Sequence, residues 1–340
     1  MKTYLVKLTP LEPYFFGNEK TFLFRGEKNQ GQRGNSYYIR SERTPLQSTL
    51  MGMMRYLLMP YRDHRHYEEN AAVIGKESFR IDACDQSFGV IRQLHPLFLM
   101  KGDRQYVVTP FDAKPGQETY IPFSDYRVIE TDRGEKRYAA EYDAKRGLDD
   151  SYLCLADGTT VDADQIFGTE TRAGNRKSSG SDNSDSFFKK EYGYLKDGFC
   201  FAFYADLNDD AAIPENGRTS AFLGQGKSLF SVEFIEENNT VADDAARYIP
   251  DDILYCMSDV YCDEAIDDRC LFAVIRDRDY RTYETGRDGR IAKGSTLYKL
   301  IKAGSVFLTE NQEELSGLLQ NADCRKAGFN CIVSGRKTRV

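Results

Sequence analysis

Tryptophan is absent from the chain, histidine occurs only at His64, His66 and His95, and no long uninterrupted apolar stretch exists. A membrane-spanning helix needs about 18 or more apolar residues in a row, so none is expected. The N-terminal stretch MKTYLVKLTPLEPYFF lacks a long apolar core and a small-residue cleavage site. It does not read as a signal peptide, and a cytoplasmic protein is expected. The eight cysteines (Cys84, Cys154, Cys200, Cys256, Cys262, Cys270, Cys324 and Cys331) form no C-x-x-C pair. Cys256, Cys262 and Cys270 are the nearest set, and their spacing fits no common zinc pattern. Cys200 and Cys331 lie in apolar runs, as reduced, buried thiols do. Neither a Walker loop nor a G-x-S-x-G elbow occurs. No catalytic residue, metal or cofactor is assigned.

What is present points to folded domains. Apolar residues make up 41 % of 340, and Tyr and Phe bring the aromatic share to 13 %. That supplies core for one large or two ordinary domains and excludes a low-complexity chain. The net charge of −7 argues against a uniformly basic nucleic-acid binder, but the charge is unevenly spread. Residues 1–65 carry eleven Lys/Arg against five Asp/Glu, and residues 325–340 carry five Lys/Arg and no acid, which leaves −18 for the remainder. Basic ends and an acidic middle fit a chain that offers one face to RNA and another to protein. Ordinary solvated charge explains any single cluster equally well.

Residues 2–9 alternate apolar and polar as a half-buried strand does, ending at Pro10 and Pro13. Residues 25–36 are a Gly-rich basic loop, and 37–40 return to strand. Ser48 or Thr49 can cap a helix carrying Leu50, Met53, Met54, Leu57 and Leu58 at helical spacing, stopped by Pro60. Strand, basic loop and capped helix together suit a phosphate. Paired strands are expected over 88–100 and 105–109, joined at Lys101-Gly102-Asp103. Residues 172–186 read as a mobile loop, and 191–195 with 198–207 as a hairpin across Lys196-Asp197-Gly198. A glycine turn over 221–234, a helix or strand at 251–259, a buried strand at 270–276, two strands in 295–309, a helix over 311–322 and a strand in 328–336 complete the reading. Many strands and few helices give an α+β fold with helices on one side of antiparallel sheets, and two βαββαβ units fit the length.

Three constellations could carry chemistry. Gly224-Gln225-Gly226-Lys227-Ser228 lets backbone approach a phosphate with a lysine beside it, and it reads equally as a tight hairpin turn. His64-Arg65-His66 could serve a metal or acid–base chemistry, but the charged stretch around it favours an exposed or RNA-facing loop. The acidic pairs Asp209-Asp210, Asp243-Asp244, Asp251-Asp252 and Asp267-Asp268 sit in polar stretches and are read as structural.

In their order along the chain, these features resemble the RAMP superfamily of CRISPR proteins, and within it the third subunit of the Cmr (type III-B) effector complex. Leu8-Thr9-Pro10-Leu11-Glu12-Pro13-Tyr14-Phe15-Phe16-Gly17 is similar to the family's opening strand and turn. Thr44-Pro45-Leu46-Gln47-Ser48-Thr49-Leu50-Met51-Gly52-Met53-Met54-Arg55 resembles its helix start. Phe167-Gly168-Thr169-Glu170-Thr171-Arg172-Ala173-Gly174 resembles its Glu-Arg-x-Gly segment, Leu223-Gly224-Gln225-Gly226-Lys227 its glycine-rich loop, and Ala303-Gly304-Ser305-Val306-Phe307 its C-terminal strand.

The resemblance implies two ferredoxin-like (RRM-like) βαββαβ domains with long loop insertions, at 1–165 and 166–340. It implies a non-catalytic subunit that binds the 5′ handle of the CRISPR RNA and docks the large polymerase-like effector subunit beside the backbone RAMP subunits. Single-stranded RNA is then held by Arg, Lys and backbone N–H on phosphates, with bases stacked on aromatic or guanidinium planes. The expected RNA-binding residues are Arg25, Arg33, Arg43, Ser48, Thr49, Arg55, Arg172, Gly224, Gly226 and Lys227. Three other readings stay open: a RAMP endoribonuclease using His64 or His66, the equivalent subunit of a type III-A or III-D complex, and a scaffold that touches no RNA.

Overall fold

The computed structural model describes residues 1–17, 37–62, 64–131, 134–143, 145, 147–176, 186–224, 227–266, 269–285 and 291–335. Arg25, Arg33, Gly226, the Asp267-Asp268 pair and the basic tail from 336 onward lie outside them.

The largest sheet has nine strands. They are β1 (Lys2–Pro10), β3 (Ile91–Leu94), β4 (Phe98–Lys101), β5 (Arg104–Val108), β8 (Ser151–Cys154), β9 (Thr160–Asp162), β12 (Phe199–Leu207), β13 (Arg218–Leu223) and β14 (Ser228–Glu236). They run in the order β13-β14-β1-β12-β4-β5-β8-β9, with β3 also on β12. A second sheet holds β15 (Ile253–Cys256), β16 (Phe272–Val274), β21 (Val306–Leu308) and β22 (Ile332–Ser334), ordered β16-β21-β15-β22. A three-stranded sheet joins β2 (Tyr37–Arg40), β10 (Phe167–Arg176) and β11 (Ser186–Leu195). Three two-stranded ribbons remain: β6 (Tyr126–Thr131) with β7 (Gly134–Ala139), β17 (Asp277–Tyr280) with β20 (Tyr298–Ile301), and β18 (Tyr283–Thr285) with β19 (Ile291–Lys293). The helices are α1 (Gln47–Leu58), α2 (Tyr67–Ile74), α3 (Ala163–Ile166), α4 (Val241–Ala245), α5 (Gln312–Leu319) and α6 (Ala322–Lys326). The fold is α+β, and no described helix is long and apolar enough to cross a membrane.

The period-two side-chain pattern places the layers. On β12, Phe201, Phe203 and Ala205 face α1, where Leu50, Met53, Met54 and Leu57 close the first core. Ala202 and Tyr204 face the other way with Leu5 and meet Tyr255, Val306 and Val333 of the second sheet. Leu254, Cys256 and Phe307 then turn outward onto Leu315 and Leu319 of α5. The sequence is therefore helix, sheet, sheet, helix, and β1 is buried on both faces rather than half-buried. Each fully buried Phe or Leu side chain in these cores contributes about 1.5–3 kcal/mol.

The two sheets share one topology. β1 is antiparallel to β14 and β12, and β12 to β4, so β1 and β4 run parallel with β12 between them. β15 is antiparallel to β22 and β21, and β21 to β16, which repeats the arrangement. Strands of the first sheet lie between Lys2 and Glu236, and those of the second between Ile253 and Ser334. Residues 165 and 166 fall inside α3.

Several local expectations change. β11 and β12 are contiguous but form no hairpin: β11 pairs with β10 and β2, while β12 pairs with β1 and β4. The Lys196-Asp197-Gly198 turn thus passes the chain from one sheet to another. Residues 172–176 and 186 belong to strands rather than to a loop. The helix starts two or three residues earlier than expected, with Leu46 at the N-cap and no side-chain cap, so Ser48 and Thr49 lie in its first turn. β16 is half-buried at the end of its sheet, and 253–256 is strand.

Candidate nucleic-acid interface

Segments distant in sequence meet at the opening turn around Tyr14: β11, the approach to α1 and the glycine loop. Its backbone forms a bridge with Gly193 of β11, N–H to carbonyl in both directions at 2.8 Å. Its hydroxyl donates to the Arg43 carbonyl at 2.9 Å, which ties the opening turn to the segment leading into α1. The Gly193 position needs glycine here, since an added Cβ would lie 2.7 Å from the Tyr14 ring.

The glycine loop is fastened to the same turn. Leu11 N–H donates to the Leu229 carbonyl at 2.9 Å, Leu229 N–H to Glu12 Oε1 at 2.8 Å, and the Ser228 hydroxyl to the Pro13 carbonyl at 3.2 Å. Gly224 has φ +74°, and a side chain there would overlap the Phe15 carbonyl oxygen. Lys227 is exposed, takes φ +50°, and donates its N–H to the Gly224 carbonyl at 3.1 Å. The tight hairpin turn, one of the two readings of this loop, is present between β13 and β14, with Leu223 opposite Ser228.

Beside the turn, β10 and β11 present cations on aromatic rings. The Lys190 ammonium lies 3.8 Å from the Phe15 ring centre and 5.0 Å from that of Tyr192. Among the described residues it has no carboxylate partner, and burial lowers its pKa. The Arg172 guanidinium lies 4.8 Å from the Tyr192 ring centre and donates from Nε to Glu170 at 2.7 Å. The Glu170 hydrogen bond raises its pKa. A desolvated cation without a counter-charge, next to a planar guanidinium, is suited to a phosphate.

The remaining expected residues divide. Arg43 binds Asp150 at 3.1 Å and Asp164 at 2.9 Å. Arg55 donates to the carbonyls of Ile74 (3.0 Å) and Gly75 (2.9 Å), and burial lowers its pKa, so it braces α1 against the end of α2. Ser48 lies beside the buried Tyr280 hydroxyl. Thr49 gives its N–H to the Leu46 carbonyl at 2.9 Å. The structure therefore gathers Arg172, Gly224 and Lys227 about the opening turn and joins Arg43 to it through its carbonyl, while Ser48, Thr49 and Arg55 serve α1. Lys190 and Tyr192 were missed, although the alternation Lys190-x-Tyr192-x-Tyr194 marks one strand face.

His66 stacks on Tyr61 with ring centres 4.2 Å apart and lies 3.4 Å from Glu69; the His64 side chain is outside the described residues. His95 binds Asp206 at 2.9 Å on a different element. Among the described residues no group of three or more His, Cys, Asp or Glu side chains is arranged to hold a metal ion. The Cys256 thiol is raised well above its usual range by burial.

No family model matches the chain, and no curated protein does. Solved structures do. A chain of the cryo-EM structure of the type III-B Cmr-beta bound to cognate target RNA aligns over 98 % of this chain and 96 % of its own, at TM-score 0.57 and 11 % identity. A chain of Cmr-beta bound to cognate target RNA and AMPPnP aligns over the same shares at TM-score 0.56 and 12 % identity. The fold is shared with chains of a type III-B complex. At such identity the likeness concerns the backbone arrangement and leaves the chemistry to the residues above.

Proposed function

We propose that this chain is a non-catalytic subunit of a type III CRISPR effector complex, the third subunit of a type III-B (Cmr) assembly, and that it holds the 5′ handle of the CRISPR RNA. The observation that carries this reading is the meeting at the opening turn, Pro13 to Phe15, of the approach to α1, the glycine loop and the β10–β11 pair, whose Lys190 and Arg172 lie over Phe15 and Tyr192. Full-length likeness to Cmr-beta chains supports the same reading. The strand order β14-β1-β12-β4, repeated as β22-β15-β21-β16, supports two ferredoxin-like (RRM-like) halves. On this reading the acidic middle of the chain faces protein partners, namely the large polymerase-like subunit and the backbone RAMP subunits, and the protein works in the cytoplasm.

Binding of the purified chain to RNA bearing a repeat-derived 5′ end, titrated with salt, tests this. Phosphate contacts predict affinity that falls steeply with salt, by a log–log slope of about −0.7 per contact on a single strand. Lys227→Glu weakens binding with the melting temperature unchanged, because its side chain is exposed. Affinity insensitive to both salt and Lys227→Glu would sink the proposal.

A further inference from the structure

Tyr194 is an exposed aromatic with a fixed orientation. It stands opposite Gly168 in the β10–β11 register. Its ring lies across that glycine so closely that any Cβ at 168 would collide with it. It remains 39 % exposed, and among the described residues no other ring stacks on it. Because side chains alternate along a strand, Lys190, Tyr192 and Tyr194 share one face of β11, and Gly168, Glu170 and Arg172 the same face of β10. Residues two apart on a strand are about 7 Å apart, so the two tyrosines form successive rungs. At one end of this ladder are the Lys190 ammonium, which has no carboxylate partner among the described residues, and the Arg172 guanidinium over Tyr192.

We propose that this face of the β10–β11 ribbon is a stacking platform for single-stranded RNA, with Tyr194 carrying a nucleobase and Lys190 and Arg172 holding the neighbouring phosphates. The inference deepens the RNA-binding reading and rests on it. An aromatic plane held flat loses little conformational freedom when a base stacks on it, and every base has a π-face to offer. Cations without full neutralisation, one rung away, suit the backbone of the same strand. A protein partner would find here a charged, glycine-backed strip with few apolar side chains to bury, so RNA is the better match.

The competing structural role is that Tyr194 merely shields the backbone at Gly168, as an aromatic opposite a glycine does in many sheets. The test measures affinity of the full-length chain for a fluorescent single-stranded RNA, and for the same strand with abasic nucleotides. Tyr194→Ala should weaken binding of intact RNA about 5- to 150-fold, the range for loss of one stacked base. Tyr194→Phe should bind as the wild type does, and the abasic strand should bind wild type and Tyr194→Ala alike. Gly168→Ala, which keeps the tyrosine but displaces its ring, should reproduce the loss. Should Tyr194→Ala lower the melting temperature yet bind intact RNA normally, while Lys190→Glu loses it, the platform is wrong and the RNA-binding reading stands. Wild-type protein that binds neither strand overturns both.

Discussion

The Tyr14 hydroxyl donates to the main-chain carbonyl of Arg43 at 2.9 Å, with the ring fully buried. This one bond closes the opening turn onto the approach to α1, and burial holds the phenol protonated by raising its pKa. Tyr14→Phe keeps the packing and leaves the Arg43 carbonyl without its partner. It should cost about 1–2 kcal/mol of stability, read from the urea midpoint, and weaken RNA binding through the displaced turn.

Arg278 is 15 % exposed between Asp259 at 2.8 Å and Glu42 at 3.5 Å. Burial pulls its pKa down, and the two carboxylates more than reverse this. The triad links the N-terminal segment to the second sheet's loops. Arg278→Ala would remove the cation held between the two carboxylates, and should destabilise the chain by about 3–5 kcal/mol in equilibrium unfolding.

Asp112 is fully buried, accepts the Tyr120 hydroxyl at 2.9 Å on Oδ1, and has no partner for Oδ2 among the described residues. Burial pushes its pKa up to about 6. Between about pH 4 and 6 the folded chain holds a proton that the unfolded chain has released, so stability falls as pH rises through that window and is flat above it. The full loss is at most about 3 kcal/mol. Asp150 and Asp206, whose pKa values are lowered in the folded chain, act oppositely and only at more acid pH. Asp112→Asn should abolish the decline between pH 4.5 and 7.5 and raise stability at pH 7.5, measured by urea unfolding at each pH.

The sequence showed strands where period-two alternation was strong, as over 2–9, or where apolar and aromatic residues ran together, as over 199–204, and it offered the glycine hairpin as one of two readings of its turn residues. It could not show which strands pair. Lys196-Asp197-Gly198 looks like a hairpin turn, yet Tyr14 and the β10–β11 pairing take β11 into another sheet. The shared order of the two large sheets was invisible because equivalent strands have unrelated residues and very different connections. Arg55 looked like a free cation, but its carbonyl partners come from a segment nearly twenty residues on. Lys190 was overlooked because a lysine gains meaning only from rings that the fold brings from residues 15 and 192.

The most direct test of the account is to sequence, from their 5′ ends, the RNAs that accompany the affinity-tagged chain out of its own host, for wild type and Lys190→Glu. The account predicts guide RNAs sharing one repeat-derived 5′ end, recovered with several large protein partners, and a sharp drop in RNA yield from the variant. Wild-type protein that brings down its partners without RNA, or RNA with unrelated 5′ ends, would contradict it.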